Sequence, residues 1–439
     1  MDIEKIKQRI LDLAIRGKLV PQDPNDEPAS VLIEKIKAEK EKMIKEGKIK
    51  PSKDDSYIYK ASDNCYYEKK GNTVKNVTSE IPFDIPKNWS WARLSSIGTT
   101  NIGLTYRPEN ICENGTIVLR SSNIKNNKID LNDLVRVNSV IHDNQYINNN
   151  DILICARNGS KALVGKCALY MYKDQKMSFG AFMAIFRTIC YKYTYYYFLS
   201  KQFRSNFENE NNKQINQVTQ DILKNSLIPI PPLQEQHKIC ETIEKYFDLL
   251  NSIENNINSI KELVYYIKNK ILDHFFCENS SYKSYYENEF ELGKIIEYEQ
   301  PTNYIVKNPE YDDKYATPVL TAGKSFLLGY TNETEGVYHI KSGEKVIIFD
   351  DFTTSSHLVD FDFKVKSSAM KILRSTDNEL FNIEYLYYFL KTLKIDTDNH
   401  KRYWISKYAP MKVKVHTYEE QCKIIQAIKN IQYTLLNIE

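Results

Sequence analysis

Pro232-Leu-Gln-Glu-Gln-His-Lys-Ile-Cys-Glu-Thr-Ile-Glu-Lys-Tyr-Phe-Asp-Leu-Leu-Asn-Ser-Ile-Glu254 lines up without a gap on Thr417-Tyr-Glu-Glu-Gln-Cys-Lys-Ile-Ile-Gln-Ala-Ile-Lys-Asn-Ile-Gln-Tyr-Thr-Leu-Leu-Asn-Ile-Glu439, 185 residues later. The apolar positions coincide. Ile239, Ile243, Tyr246, Leu250 and Ile253 in the first copy answer to Ile424, Ile428, Ile431, Leu435 and Ile438 in the second. Steps of four and three residues in alternation mark the apolar face of a coiled coil. In the first copy the seam continues through Ile257, Ile260, Val264, Ile267 and Ile271, which predicts one helix over 233–277. The seam residues Ile239, Ile243, Leu250, Ile253, Ile257, Ile424, Ile428, Ile431 and Leu435 are therefore expected to hold helix against helix.

What precedes each copy also repeats. Thr116-Ile-Val-Leu119, Asp151-Ile-Leu-Ile-Cys155 and Ala181-Phe-Met-Ala-Ile-Phe186 are short apolar runs of strand type. Val319-Leu320, Lys345-Val-Ile-Ile-Phe349 and Ala369-Met-Lys-Ile-Leu373 follow in the same order. Tyr385-Leu-Tyr-Tyr-Phe-Leu390 then stands for Thr194-Tyr-Tyr-Tyr-Phe-Leu199. The tyrosines in these two helical stretches read as core contacts more readily than as stacking platforms for bases.

The N-terminus extends the pattern. Ile3, Ile6 and Ile10-Leu-Asp12 match Val264, Ile267 and Ile271-Leu-Asp273, and Gly17 ends the N-terminal helix. Placed after Glu439, Met1 would resume the second helix at the equivalent of residue 262. The gap, 255–261, is one heptad. The chain is thus expected to be circularly organised, with both termini near the middle of one antiparallel helical bundle. The expected segments are a helical region and linker at 1–80, a first globular unit at 81–232, a central long helix at 233–280, a second unit at 281–417 and a final helix at 418–439. Within the first of these, a Lys- and Glu-rich helix covers about 29–47 and residues 48–80 read as a loose linker.

Composition bounds the function. With 42% hydrophobic residues and 12% aromatics in 439 residues, cores can form, and wholesale disorder is not expected. There is no apolar run long enough for a membrane helix, and Met1-Asp-Ile-Glu-Lys-Ile-Lys7 does not read as a signal peptide, so a cytoplasmic protein is expected. The eight cysteines have no Cys-x-x-Cys pair and read as free thiols. The net charge of +3 allows a polyanion partner without arguing for one. Its distribution is uneven: 18 Lys and Arg face 11 Asp and Glu over 81–232, against 17 and 19 over 289–418.

Catalytic patterns are missing. No Gly-rich phosphate loop appears, and the seven histidines have no ligand spacing, so neither catalytic nor metal-binding residues are expected. Asn308-Pro-Glu-Tyr311 only partly matches an amino-methyltransferase motif. Asp350-Asp351 at a strand end reads as a turn before it reads as half a metal site. What remains are polar loops at matching places beside the strands. In the first unit they carry Thr105, Tyr106, Arg107, Arg120, Ser121, Asn123, Arg157, Asn158 and Lys161; in the second, Thr321, Lys324, Thr353, Ser355 and Lys366. Such side chains donate to phosphate oxygens and read base edges. Polar loops are also common on any surface, so an interaction scaffold that binds protein, or an enzyme with an unrecognised site, stays open from the residues alone.

Several stretches taken together resemble the specificity subunit of type I restriction–modification systems. They are Ile10-Leu-Asp-Leu-Ala-Ile-Arg-Gly-Lys-Leu-Val-Pro-Gln-Asp-Pro24, the helix Glu34–Glu41, Ile85-Pro-Lys-Asn-Trp-Ser-Trp91 and Pro231-Pro-Leu-Gln-Glu-Gln236. Pro318-Val-Leu-Thr-Ala-Gly-Lys324, Ile347-Ile-Phe-Asp-Asp-Phe-Thr353 and Lys366-Ser-Ser-Ala-Met370 complete the set. Ile102-Gly-Leu-Thr-Tyr-Arg107 departs from the family by lacking its commoner Thr-Pro pair.

The resemblance implies an α+β protein. Two target-recognition domains of mixed α/β structure would be separated by long antiparallel coiled-coil helices in a pseudo-twofold circular organisation. Each domain would read one half of a split, asymmetric site on double-stranded DNA. Two modification (methyltransferase) subunits and restriction/translocase subunits would be partners. S-adenosylmethionine, ATP and Mg would reside on those partners, with no cofactor in this chain. A helix of about 45 residues spans roughly 65 Å at about 1.5 Å per residue, about two turns of duplex at roughly 34 Å each.

Overall fold

The repeated segments do begin helices, one over Leu233–Phe276 and one over Tyr418–Leu436. The computed structural model describes residues 2–47, 49, 55–172, 175–207, 217–276, 280–321, 325–393, 395 and 402–436. Two units result, Met1–Glu254 and Asn255–Glu439. Pro231 and Pro232 cannot donate to a strand ladder, so the chain leaves the sheet there and the helix starts. Glu235 in one copy and Glu419 and Glu420 in the other sit in the first turn, where the helix dipole favours negative charge.

The duplication holds at atomic detail. The Gln236 side-chain amide donates to Pro231 O (2.9 Å), and the Gln421 amide donates to His416 O (2.8 Å). Gln421 does more than its counterpart: it also donates to Leu380 O (3.0 Å) and accepts from Asn382 N (2.8 Å). Ile239, Ile243, Ile424 and Ile428 are all at most 1% exposed.

These isoleucines face more than another helix: the cluster that holds Ile239 and Ile243 takes in Ile3, Ile10 and Leu11 of the N-terminal helix and strand residues together. They are buried in the core of their own unit, among Ile228, Ile230, Tyr193 and Tyr197 in the first and Tyr385, Leu386 and Val415 in the second. Fully burying each is worth about 1.5–3 kcal/mol. Leu250 and Leu435 are buried as well, Ile253 and Ile257 are half-buried, and Ile431 packs against the second core. Tyr246 leaves the seam: it is exposed, and Phe247 turns inward instead, edge-on to Tyr196 at 6.1 Å between ring centres.

Each head has a four-stranded sheet of the same strand order, and a second sheet that has four strands in the first head and three in the second. In the first, one sheet runs Cys167–Leu169, Ile152–Cys155, Met183–Arg187, Thr99–Ile102. In the second, Ser356–Val359, Val346–Asp350, Met370–Ser375 and Ile296–Glu299 take those places in the same order. The other sheet carries a parallel pair in both heads: Met177–Phe179 beside Ile111–Leu119, and Lys364–Val365 beside Thr317–Leu320. The apolar runs read as strands because both of their faces are covered. Leu153 and Cys155 point at the second sheet, while Ile152 and Ile154 point at the helices. Ile348 and Ile347 divide in the same way in the second head.

The N-terminal helix, Ile3–Ile15, is capped by Asp2, which accepts from Lys5 N at 3.1 Å. It stops where Gly17 adopts φ +65°, and a side chain there would collide with Pro86. Ile3, Leu11 and Ala14 are buried in the first unit, and Val264, Leu272 and Phe275 occupy the matching places in the second. Each unit is therefore built from an incoming helix, a head and an outgoing helix, in that order.

The structure differs from the sequence reading in two further places. Residues 48–80 are not all linker. Tyr57–Lys60, Tyr66–Lys70 and Thr73–Asn76 form a three-stranded antiparallel sheet, which buries Ile58, Tyr66 and Val77 against Trp91 and Leu227. Short strands rich in Lys and Tyr gave too weak an alternation to be seen. The tyrosine helices, Tyr191–Phe198 and Ile383–Thr392, are core elements as expected, but their register is shifted by one residue. Tyr385 takes the place of Tyr193, not of Thr194, because Tyr388 then meets Gln432 (3.0 Å) where Tyr196 meets Phe247.

That register reveals an inverted ion pair. Lys192 bonds Glu244 on the outgoing helix of the first unit (3.2 Å). In the second unit Glu384 bonds Lys429 at the same place (2.5 Å), with Lys345 on its other oxygen (3.0 Å). Desolvation works against the Glu384 carboxylate, but the two lysines outweigh it and hold its pKa below the ordinary value of 4.5.

Two stability measurements check this account. Gln421→Ala removes three hydrogen bonds and leaves His416 O and Asn382 N without that partner, while Leu380 O keeps the Tyr286 hydroxyl; it is expected to cost about 2 kcal/mol, against about 1 kcal/mol for Gln236→Ala. Equal losses in denaturant unfolding would show that the two caps are not ranked by their bonds. Glu384→Gln is expected to cost about 1–2 kcal/mol at neutral pH. A depressed carboxyl contributes its stability above its unfolded pKa and loses it as pH falls through the folded value. The difference between the two proteins should therefore shrink as pH falls below the ordinary carboxyl range and through the depressed folded value, and a difference independent of pH would refute the lysine clasp.

Candidate nucleic-acid interface

The loops singled out by their composition leave the same end of each head. In the first, Gly180 N donates to Leu119 O (2.9 Å) and Leu104 N to Phe179 O (2.7 Å). Ala156 N and Arg157 N both donate to Phe182 O. These bonds bring the loops at 103–107, 120–123, 156–161 and 180–182 together at the strand ends. Gly103 is required there, since a Cβ would fall 2.2 Å from Phe179 O. A side-chain bond from Asn158 to Ser121 Oγ (3.2 Å) ties two of the loops directly.

The second head repeats the framework with different residues. Lys366 N donates to Leu320 O (2.8 Å) where Gly180 met Leu119, and Asp351 N donates to Ala369 O (3.0 Å) where Ala156 met Phe182. Tyr403 N on Asp351 O (3.1 Å) mirrors Val218 N on Ala156 O (2.7 Å).

The individual side chains divide into free and committed. Thr105, Arg107, Arg157 and Lys161 are exposed. The Arg157 guanidinium lies 5.8 Å from the ring centre of Phe182, itself 63% exposed. Arg107 has only a loose partner, Glu109 at 3.9 Å. Arg120 is half-buried and paired with Asp133 (2.8 Å). Tyr106 packs on Leu104, Val118 and Val137. Asn123 is fully buried: it accepts from Arg120 N and donates to Asp130 O and Asp133 O, so it braces a turn and has no donor to spare.

In the second head Lys366 is exposed, and its ammonium donates to Tyr311 OH (3.3 Å). The Thr353 hydroxyl donates to Asp350, and Ser355 Oγ lies 3.3 Å from His357 Nε2. Thr321 is half-buried, with its backbone bonded to Phe326 O. Lys324 lies outside the described residues.

Beneath the loops of the second head lie two buried lysines, both 1% exposed. Lys364 bonds Glu333 (3.0 Å), Glu335 O (2.6 Å) and Gly336 O (3.0 Å). Glu333 in turn accepts from Lys307 N and Asn308 N. Partial burial opposes its charge, but these donors and Lys364 outweigh it and hold the carboxyl below its ordinary pKa. Lys371 lies 2.6 Å from Gln300 Oε1 and 3.5 Å from Asp351, and burial pulls its pKa down. Asp351 also accepts from Trp404 N (2.7 Å). Asp350 thus ends its strand and Asp351 opens the turn that follows, its carboxylate engaged by a buried lysine.

Sequence reasoning missed Phe182, Tyr311 and the two buried lysines. Phe182 was hidden in an apolar run taken as strand, although the strand starts at Met183. Tyr311 sits in a motif whose methyltransferase reading failed. It packs over Gly329, where a Cβ would lie 2.9 Å from the Tyr311 Cβ. Nothing in a lone Lys announces burial.

Comparison with known proteins agrees with this layout. Residues 86–262 match the family described as type I restriction modification DNA specificity domain. The type I restriction enzyme EcoR124I/EcoR124II specificity subunit of Escherichia coli is 55% identical over 126 residues, 28% of this chain and 31% of that protein. The EcoAI specificity subunit of Escherichia coli is 29% identical over 280 residues, 62% of this chain and 44% of that protein. The matched segments thus span less than half of either relative. A chain from a structure of type I restriction–modification complex assembly and conformational transition superposes with a TM-score of 0.59 at 14% identity, over 81% of this chain and 93% of that one. That likeness bears on the fold alone. Residues 86–262 thus match the type I restriction modification DNA specificity domain, and the chain is similar in part to type I restriction enzyme specificity subunits.

Proposed function

We propose that the chain is the sequence-reading subunit of a type I restriction–modification complex and that it binds a bipartite, asymmetric site on double-stranded DNA. One observation carries the reading: two heads that share one four-stranded sheet order and a parallel strand pair present unlike polar loops from the same end. A shared framework with different side chains is what reading two different half-sites requires. Arg157 and Lys366, exposed and without an ion pair among the described residues, are the leading base or phosphate contacts. The helix Leu233–Phe276 would set the unread spacer between half-sites.

In this reading the chain carries no catalysis. Adenine methylation and ATP-dependent cleavage would be done by two modification subunits and by restriction/translocase subunits, which would bring S-adenosylmethionine, ATP and Mg. The complex would work in the cytoplasm; no helix among the described residues is long and apolar enough to cross a membrane. The decisive experiment is a map of modified adenines in the host genome with and without this gene. A split motif that disappears with the gene supports the reading, and an unchanged map overturns it.

Two further outcomes are expected. Deleting 255–261, the heptad without a counterpart in the second arm, removes about 10 Å of helix and should shorten the selected spacer by about three base pairs or abolish binding. Selection of the same spacer would end the ruler idea. Arg157→Ala and Lys366→Ala should change unfolding free energy by less than about 0.5 kcal/mol yet relax half-site discrimination by about 1–3 kcal/mol. Asn123→Ala should do the reverse, costing about 2 kcal/mol of stability, which competition binding and denaturant unfolding on the same samples would separate.

A further inference from the structure

Away from the reading loops, the first head carries a groove of about 560 Å³. It lies toward the starts of the parallel strands whose ends bear Arg120 and Gly180. Asn114, Thr116, Arg136, Asn138, Gln175 and Lys176 supply its polar lining, and no carboxylate lines it among the described residues. Its wall is made by a break in register: Ile111 and Thr116 both pair with Val137, so residues 112–115 bulge out of the ladder. Gly115 closes the bulge, where a Cβ would fall 2.3 Å from Val137 O. Arg136 gives one long bond to Gly115 O (3.3 Å), and Lys176 lies 5.5 Å from the ring centre of Tyr146. Neither cation has an ion pair among the described residues.

The groove is not isolated from the reading surface. Asn138 N donates to Asn110 O (3.0 Å), and Asn110 N to Arg107 O (3.0 Å). The turn bearing exposed Arg107 therefore abuts the groove. Two cations without an ion pair, side-chain amides and the hydroxyls of Thr116 and Ser139 outweigh the apolar Ile117 and Val137 in the lining, which suits a chain of phosphodiesters better than a compact organic molecule. The surplus of 18 Lys and Arg over 11 Asp and Glu in 81–232 points the same way.

We infer that this groove holds the sugar–phosphate backbone of duplex DNA beside the half-site read by the first head, with Arg136 and Lys176 as its phosphate contacts. The inference rests on the DNA-reading function proposed above and adds a contact that positions without discriminating. Phosphate contacts release counterions, so each one removed should flatten the slope of log K against log salt by about 0.9.

The test is duplex binding by the full chain, in the complex it forms with its partners, from low to physiological salt. Arg136→Ala with Lys176→Ala should weaken cognate and scrambled duplexes alike, by roughly tenfold, and flatten the salt slope by about two contacts' worth. Arg136→Gln with Lys176→Gln, which keeps the bulk of both side chains, repeats the measurement if the alanine pair unfolds. Unchanged affinity and slope in a folded variant would overturn the groove alone, provided the unaltered protein binds duplex. Loss confined to the cognate sequence would also overturn it, by making the groove a base reader. If the unaltered protein binds no duplex, the DNA-reading function falls and the groove falls with it.

Discussion

The first two turns of each outgoing helix are sealed inside the head that precedes them. Ile239 and Ile243, or Ile424 and Ile428, cannot be withdrawn without opening that head's core, and a buried glutamine amide locks the chain just before them. The helix is therefore a rigid extension of the head and not an arm on a hinge. Everything functional follows from that attachment. The reading loops hang from the sheet whose other face rests on the same isoleucines, so a loop's place is defined with respect to its helix. Binding residues on loops gain their precision from such a scaffold.

The periodicity of two helices was legible because four-and-three spacing is a property of local sequence. Their purpose was not. A buried isoleucine looks the same whether a second helix or a β-sheet covers it, so the periodicity did not reveal that the same residues also belong to head cores. The strands were legible for a related reason: both faces are apolar, and the run stands out against its polar flanks. The 57–76 sheet escaped because its outward face is Tyr and Lys and its inward face only a few residues. Among the loop residues, type predicted donors correctly but not their freedom. Asn123 is as polar as Asn158, yet its whole amide is used by three backbone groups. Such commitments depend on residues 7–10 positions away, which composition does not register.

The two heads also reach similar shapes by different electrostatics. The second has a slight acidic balance, and two of its lysines are buried beneath the loops. Its cations serve first to fix loop geometry. The first head keeps more of its positive charge at the surface. If the proposed reading holds, general attraction to a polyanion falls mainly to the first head, and the second depends on short-range fit.

A gene that doubles itself inherits a hazard: its two halves can trade parts. Each outgoing helix offers nearly the same isoleucines to a nearly identical socket, so shape alone does not say which helix belongs where. The inverted ion pair does. A helix in the wrong socket would set Lys192 against Lys429, or Glu384 against Glu244, and would face Phe247 with a hydroxyl that wants Gln432. Opposite polarity at one equivalent position thus matches each helix to its own socket.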